Sequence, residues 1–107
     1  MKTLKFMPHL VPLVLGGEKT STWKLFDDKD LKKGDELILI NKSTGEEFAK
    51  AMITKTEEKK LKDLNDKDSE GHERYQTQND MVEHFRKYYG DKVNLNTIVK
   101  IVDFELL

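Results

Sequence analysis

The segment GGEKTSTWKLFDDKDLKKGD, residues 16–35, is the most unusual part of the sequence. It opens with two glycines and a lysine, passes through three hydroxyl residues and the only tryptophan, and ends in a strongly charged run. Residues 20–26 are rich in β-branched and aromatic side chains, which favours a strand. The charged residues 27–34 predict a loop. Two glycines are typical of a helix end, where a positive φ is often needed.

Four further segments have the pattern of strands. Their apolar residues either form a continuous run or alternate with polar ones, and they lie at residues 4–7, 36–41, 47–56 and 97–106. A Ser- and Gly-containing turn at residues 42–45 joins the second of these to the third, which predicts a hairpin.

Helices are predicted in two places. Residues 8–15 can form about two turns, because proline is tolerated in a first helical turn. Thr77 and Asp80 have the spacing of a capping box and predict the start of the second helix, which ends near Gly90.

Residues 57–68 are charged and predict a mobile connection that contains a short helix.

The whole chain has the size of one domain. It has 107 residues, of which 36% are hydrophobic and 36% charged, so we expect a single domain over residues 1–107 with a modest core. Strands and helices in this order predict an α+β fold: a small, mostly antiparallel β-barrel with flanking helices.

Composition excludes several classes of function. The formal net charge is −1, which disfavours tight nonspecific binding to nucleic-acid duplexes. The chain has no cysteine, so thiolate metal sites and disulfides are excluded. His9, His72 and His84 lack metal-motif spacing, and we expect neither a metal nor another cofactor.

The N-terminal residues could be mistaken for a signal peptide. Pro8 and Pro12 interrupt the apolar run, and no small-residue cleavage site comes after it, so we expect this segment to belong to the fold. Nothing in the chain is long enough to cross a bilayer. These features predict a cytoplasmic protein with no membrane partner.

One ordered set of residues resembles a known family. Gly17, Lys19 and Lys24 resemble the Gly-x-Lys-x-x-x-x-Arg signature of ASCH domains, which belong to the PUA-like superfamily. The likeness covers almost the whole chain. It continues through residues 20–23, 26–31 and 34–35, then 71–73 and finally 88–90.

The resemblance implies both a fold and an activity. It implies a β-barrel closed on one side by helices, with a cleft where the glycine-lysine loop meets the barrel. Family members bind RNA or nucleosides, and some small bacterial relatives are amidohydrolases that remove the acetyl group from acetylated cytidine. By this resemblance the catalytic residues are Lys19, Thr22 and Glu73, with Glu70 as an alternative acid, and the ligand-binding residues are Gly17, Thr20, Trp23 and Lys24.

The chemistry of these residues sets conditions on catalysis. Lys19 can act as a base only if burial lowers its pKa, and Thr22 would then be the nucleophile. Glu73 would orient the pair or carry the proton, although a nearby carboxylate also favours charged lysine. Because side chains alternate along a strand, Lys19 and Thr22 meet only if the chain bends after Gly17.

Three functions remain open from the sequence. The first is a pocket for a nucleoside or modified base, with or without hydrolysis of an acyl amide. The second is a noncatalytic module for short single-stranded RNA, in which Lys19, Lys24 and Trp23 bind by charge and stacking. The third is a protein-interaction domain. Lys24 stands where the signature has arginine, and lysine lacks the planar fork of that side chain.

Overall fold

The protein is built on one curled, mixed β-sheet. A computed structural model describes residues 1–27, 29–72 and 74–107. The strands are β1 (Lys2–Phe6), β2 (Ser21–Leu25), β3 (Glu36–Asn41), β4 (Glu47–Lys60) and β5 (Ile98–Leu106). Their order is β1-β3-β4-β5-β2, and β1 pairs with β3 in parallel while the other neighbours are antiparallel.

This arrangement confirms the predicted α+β fold with a mostly antiparallel sheet. The sheet curls into a half-barrel, and β1 and β2 are its two edge strands. Both edge strands come from the N-terminal quarter of the chain, and residues 7–20 join them across the open side of the half-barrel.

Two α-helices flank the sheet. A 3₁₀ turn at Pro8–Leu10 leads directly into α1 (Val11–Leu15), and Gly17 then adopts the positive φ expected after this helix. The second helix, α2 (Gln78–Tyr89), begins as predicted, because the Thr77 hydroxyl accepts a hydrogen bond from the Asp80 amide. Neither helix in the described part of the chain has the length and apolar character needed to span a bilayer.

The fourth strand is longer than predicted. It continues through residues 57–60, which pair with β5, so that Glu57 lies opposite Ile101 and Lys60 opposite Ile98. The prediction of a mobile, partly helical connection is therefore wrong for these four residues. After β4 the chain forms two 3₁₀ turns, at Leu61–Asp63 and Asp66–Ser69.

The core has two parts. One packs α1 against β1, β3, β4 and β5, and includes Leu4, Val14, Leu37, Ile53 and Phe104. The other packs α2 against β2 and β5, and includes Trp23, Leu25, Val82, Phe85 and Val99. Apolar burial of this kind is the main favourable term in folding. It fixes α1 and α2 beside the two edge strands.

Candidate functional site

A cleft of about 380 Å³, which we call the central cleft, lies where the end of β1, the strand β2 and the helix α2 meet. Its lining is rich in basic and aromatic side chains. The basic ones are Lys5, Lys19, Lys24 and Lys42 with His9, His72 and His84; the aromatic ones are Phe6, Trp23, Tyr75, Phe85, Tyr88 and Tyr89. No Asp or Glu lines the cleft among the described residues.

Lys19 reaches the cleft from the residues just before β2, and it is only 5% exposed. Its amine donates a hydrogen bond of 2.9 Å to the backbone carbonyl of Ser21. The Ser21 amide donates to the carbonyl of Gly71, so both backbone groups of Ser21 are satisfied on the edge of the sheet. The buried amine of Lys19 therefore also satisfies a backbone carbonyl on the edge strand β2.

Thr22 and Trp23 line the same cleft from β2. The structure thus brings the predicted nucleophile, the predicted base and the lone indole to one cavity. Trp23 is 5% exposed, and the ring of His72 stacks on it with centroids 4.0 Å apart and planes 8° apart. Its Nε1 is buried and makes no hydrogen bond to the described residues. Trp23 is therefore a wall of the cleft, and His72 covers one of its faces.

Lys24 is the half-buried cation of the cleft. Its amine makes no hydrogen bond or ion pair within the described part of the chain. Burial, and then repulsion from Lys29, lowers the pKa of Lys24, and Lys19 and Lys42 act in the same direction while Asp27 only partly opposes them. An anion placed here would be stabilised by several positive charges at once.

Two predicted ligand-binding residues lie elsewhere. Gly17 lines a separate cavity of about 320 Å³ beside α1. Thr20 lines that cavity as well, together with another of about 520 Å³ that also contains Glu70. The structure does not bring Gly17, Thr20 or Glu70 to the cleft of Lys19 and Thr22. The predicted acid Glu73 lies outside the described residues.

The segment that carries His72, residues 65–72, is held by hydrogen bonds at both of its ends. Asn65 and Asp68 cap each other, and both carboxylate oxygens of Asp68 accept hydrogen bonds from the Lys59 amine, at 2.9 and 3.0 Å. At the other end, the Gly71 carbonyl accepts hydrogen bonds from the amides of Thr20 and Ser21. These contacts place His72 over the indole of Trp23.

Some lining residues were not predicted from the sequence. Lys5 comes from β1 and Lys42 comes just after β3, and both face the cleft only because the sheet curls. Lys42 also lies over the ring of Tyr88, with its amine 5.5 Å from the ring centroid. No local pattern marks these lysines. Tyr88, on the last turn of α2, is half exposed and also borders the cleft.

The fold is shared with several solved structures. An ASCH domain from Lactobacillus crispatus matches with a TM-score of 0.68 at 14% identity, over 89% of this chain and 68% of that one. A Zymomonas mobilis ASCH protein matches with a TM-score of 0.70 at 8% identity, over 96% and 67%. The chain has the fold of an ASCH domain.

A third structure with this fold is a DUF984 protein from Enterococcus faecalis. It matches with a TM-score of 0.75 at 18% identity, over 92% of this chain and 70% of that one. No family model and no curated protein matches the sequence. The ASCH fold is thus established by structure, but a shared fold does not determine the ligand, which depends on the residues of the cleft.

Proposed function

We propose that the central cleft binds a nucleoside or nucleotide. The observation that carries this proposal is the lining itself: its described residues include lysines and histidines but no Asp or Glu, and aromatic rings lie beside them. Aromatic rings and lysines together suit a base and a phosphate. The volume of about 380 Å³ is within the range of small-ligand pockets.

Tyr88 is the aromatic side chain best placed to meet a base. It is 50% exposed and borders the cleft, whereas Trp23 is buried and its face is covered by His72. Lys42 lies over the Tyr88 ring and brings a positive charge to the same place. The base therefore contacts Tyr88, and the role that the sequence suggested for Trp23 passes to this residue.

A binding experiment tests the proposal directly. Titration calorimetry with cytidine and its monophosphates should detect binding, and the phosphates should bind more tightly because of the lysines. Tyr88→Ala should weaken binding about tenfold, since stacking of one base contributes about that much, while Tyr88→Phe should keep it. Lys42→Ala should weaken the phosphates more than cytidine. Lys50, an exposed lysine on β4 that does not line the cleft, supplies the control Lys50→Ala, which should change nothing.

A second candidate activity is hydrolysis of an acyl amide on the bound nucleoside, such as acetylated cytidine. It is favoured by the position of Lys19 and Thr22 on one cleft, with Lys19 almost fully buried. In such a reaction water supplies the hydroxyl of the released acid. Thr22 attacks the carbonyl carbon, the amine leaves with a proton, and water then releases the acyl group from Thr22.

Acetate release from acetylated cytidine separates the two functions. Thr22→Val keeps the shape of the side chain without its hydroxyl, and Lys19→Met keeps length without the amine. Both should abolish turnover, while Thr22→Ser should retain part of it. Tight nucleotide binding without any acetate release by the parent protein would leave the binding function standing and exclude the hydrolase.

A further inference from the structure

A second cavity adjoins the cleft. It has a volume of about 340 Å³ and is lined by Lys24, Phe26, Asp27, Glu58, Ile98 and Lys100. Lys24 lines both this cavity and the central cleft. Lys24 therefore borders both cavities.

Among the residues that the structure describes around the second cavity, Lys24 is the cation without an ion pair. Lys100 forms an ion pair of 2.9 Å with Asp27, and the Lys100 amine also lies 4.0 Å from Glu58. Asp27 further accepts hydrogen bonds from the amides of Lys29 and Leu31, so its carboxylate is fully engaged. The acidic side chains of this cavity are thus directed to Lys100.

Phe26 gives this cavity an aromatic surface in an unusual conformation. It lies just after β2, is 46% exposed, and has a φ of 53°, which bulky residues rarely adopt. Tyr89 packs edge-on against its ring, and the Lys92 amine lies 4.3 Å from its centroid. Neither of these residues lines the cavity, so they leave uncovered the part of Phe26 that borders it.

Strained, exposed residues of this kind are held in place by their surroundings, and they concentrate at ligand sites. Phe26 belongs to neither core cluster of the described residues, and nearly half of its side chain is in solvent. A ring held open to solvent beside an unpaired cation matches the single-strand binding sites of proteins, which combine stacking surfaces with positive charge.

We propose that this cavity is a second nucleotide subsite, so that the ligand is a single-stranded oligonucleotide of at least two nucleotides. One base occupies the central cleft, Lys24 binds the phosphate that links the two nucleotides, and the second base packs on Phe26 and Ile98. This inference rests on the proposed function of the cleft.

The test compares one nucleotide with two. Titration calorimetry with cytidine 3′-monophosphate and with the dinucleotide of two cytidines should show about tenfold tighter binding of the dinucleotide, since one more base is stacked. Phe26→Asn removes the ring but suits a positive φ, so the variant should fold at least as well as the parent. It should bind the dinucleotide about tenfold more weakly and the mononucleotide unchanged.

A matched control removes an exposed apolar side chain elsewhere. Leu15 is 52% exposed at the end of α1 and lines neither hollow, so Leu15→Asn should leave both affinities as they are. Equal affinity of the parent for the two ligands would overturn the second subsite and leave the proposed function standing. Absence of binding to both ligands would overturn the two proposals together.

Discussion

Gly71 is the residue on which the geometry of the His72 segment depends. It has a φ of 73°, and a Cβ at this position would lie 2.1 Å from Oγ1 of Thr20. Its carbonyl binds the amides of Thr20 and Ser21, so the close approach is required by two hydrogen bonds. Thr20 thus packs on the glycine that holds this segment against β2.

The substitution Gly71→Ala should therefore destabilise the protein by more than the conformational penalty alone. Gly17 is the matched control, because it has a φ of 80° but a Cβ placed there would meet no described atom within 4 Å. Gly17→Ala should cost about 1 kcal/mol for its φ, and Gly71→Ala about 3 kcal/mol or more. Urea unfolding measures both. In the Thr20→Ala background the excess cost of Gly71→Ala should fall by half or more, and equal costs in both backgrounds would contradict the clash.

At the scale of elements, the segment from Asn65 to His72 is positioned by the end of β4. Burial alone would raise the pKa of Asp68, but its hydrogen bonds from Lys59 and from the Asn65 amide outweigh burial and hold that pKa below its usual value. A carboxylate whose pKa is lowered on folding stabilises the protein above its unfolded pKa of about 3.9. That contribution is lost as the pH falls through the folded pKa.

Asp68→Asn should thus lower stability at neutral pH by about 1 kcal/mol and make the remaining stability less sensitive to acid below about pH 4. Because the segment places His72 on the only tryptophan, the same change should shift the fluorescence of Trp23. The matched control is Asp66→Asn, since the side chain of Asp66 is fully exposed in the same segment. An equal fluorescence shift in both variants would show that the Lys59 contact does not position His72.

The elements differ in how far the sequence predicts them. The start of α2 was predictable, because Thr77 caps it through a bond to a residue three positions away. The end of β4 was not, since residues 57–60 are charged and become a strand only by pairing with β5, about 40 residues later. Likewise Lys5 and Lys42 reach the cleft through the curl of the whole sheet. Local contacts can be inferred from spacing, and these distant pairings cannot.

On the scale of the whole molecule, charge is unevenly distributed. The chain carries a formal net charge of −1, yet the charged side chains that line the cleft in the described part of the protein are all basic. Such a concentration of one sign raises the local concentration of an oppositely charged ligand. It also disfavours the folded state, because Lys24 is half-buried and lies near other lysines, and among the described residues Asp27 alone offsets them.

A charge that favours the proposed binding but disfavours folding predicts that removing either of two facing lysines changes the free energy of unfolding in opposite directions. Lys24 on β2 lies directly opposite Lys100 on β5, but Lys100 is paired with Asp27. Lys24→Met should raise the free energy of unfolding by about 1 kcal/mol while weakening nucleotide binding, because it removes an unpaired, half-buried charge. Lys100→Met should instead lower it by about 1–3 kcal/mol, since Asp27 loses its partner.

The pH dependence of the Lys24 effect provides a further check on its cause. Below its lowered pKa, Lys24 is charged in the folded and the unfolded protein, so the full penalty applies; above it, only the unfolded chain still carries the charge, and the penalty declines. The stability gained by Lys24→Met should therefore be largest near neutral pH and shrink as the pH rises through the lowered pKa toward the ordinary pKa of lysine, as measured by urea unfolding from pH 7 upward. A gain that stays constant over this range would mean that better packing of methionine, and not relief of a buried charge, stabilises the variant.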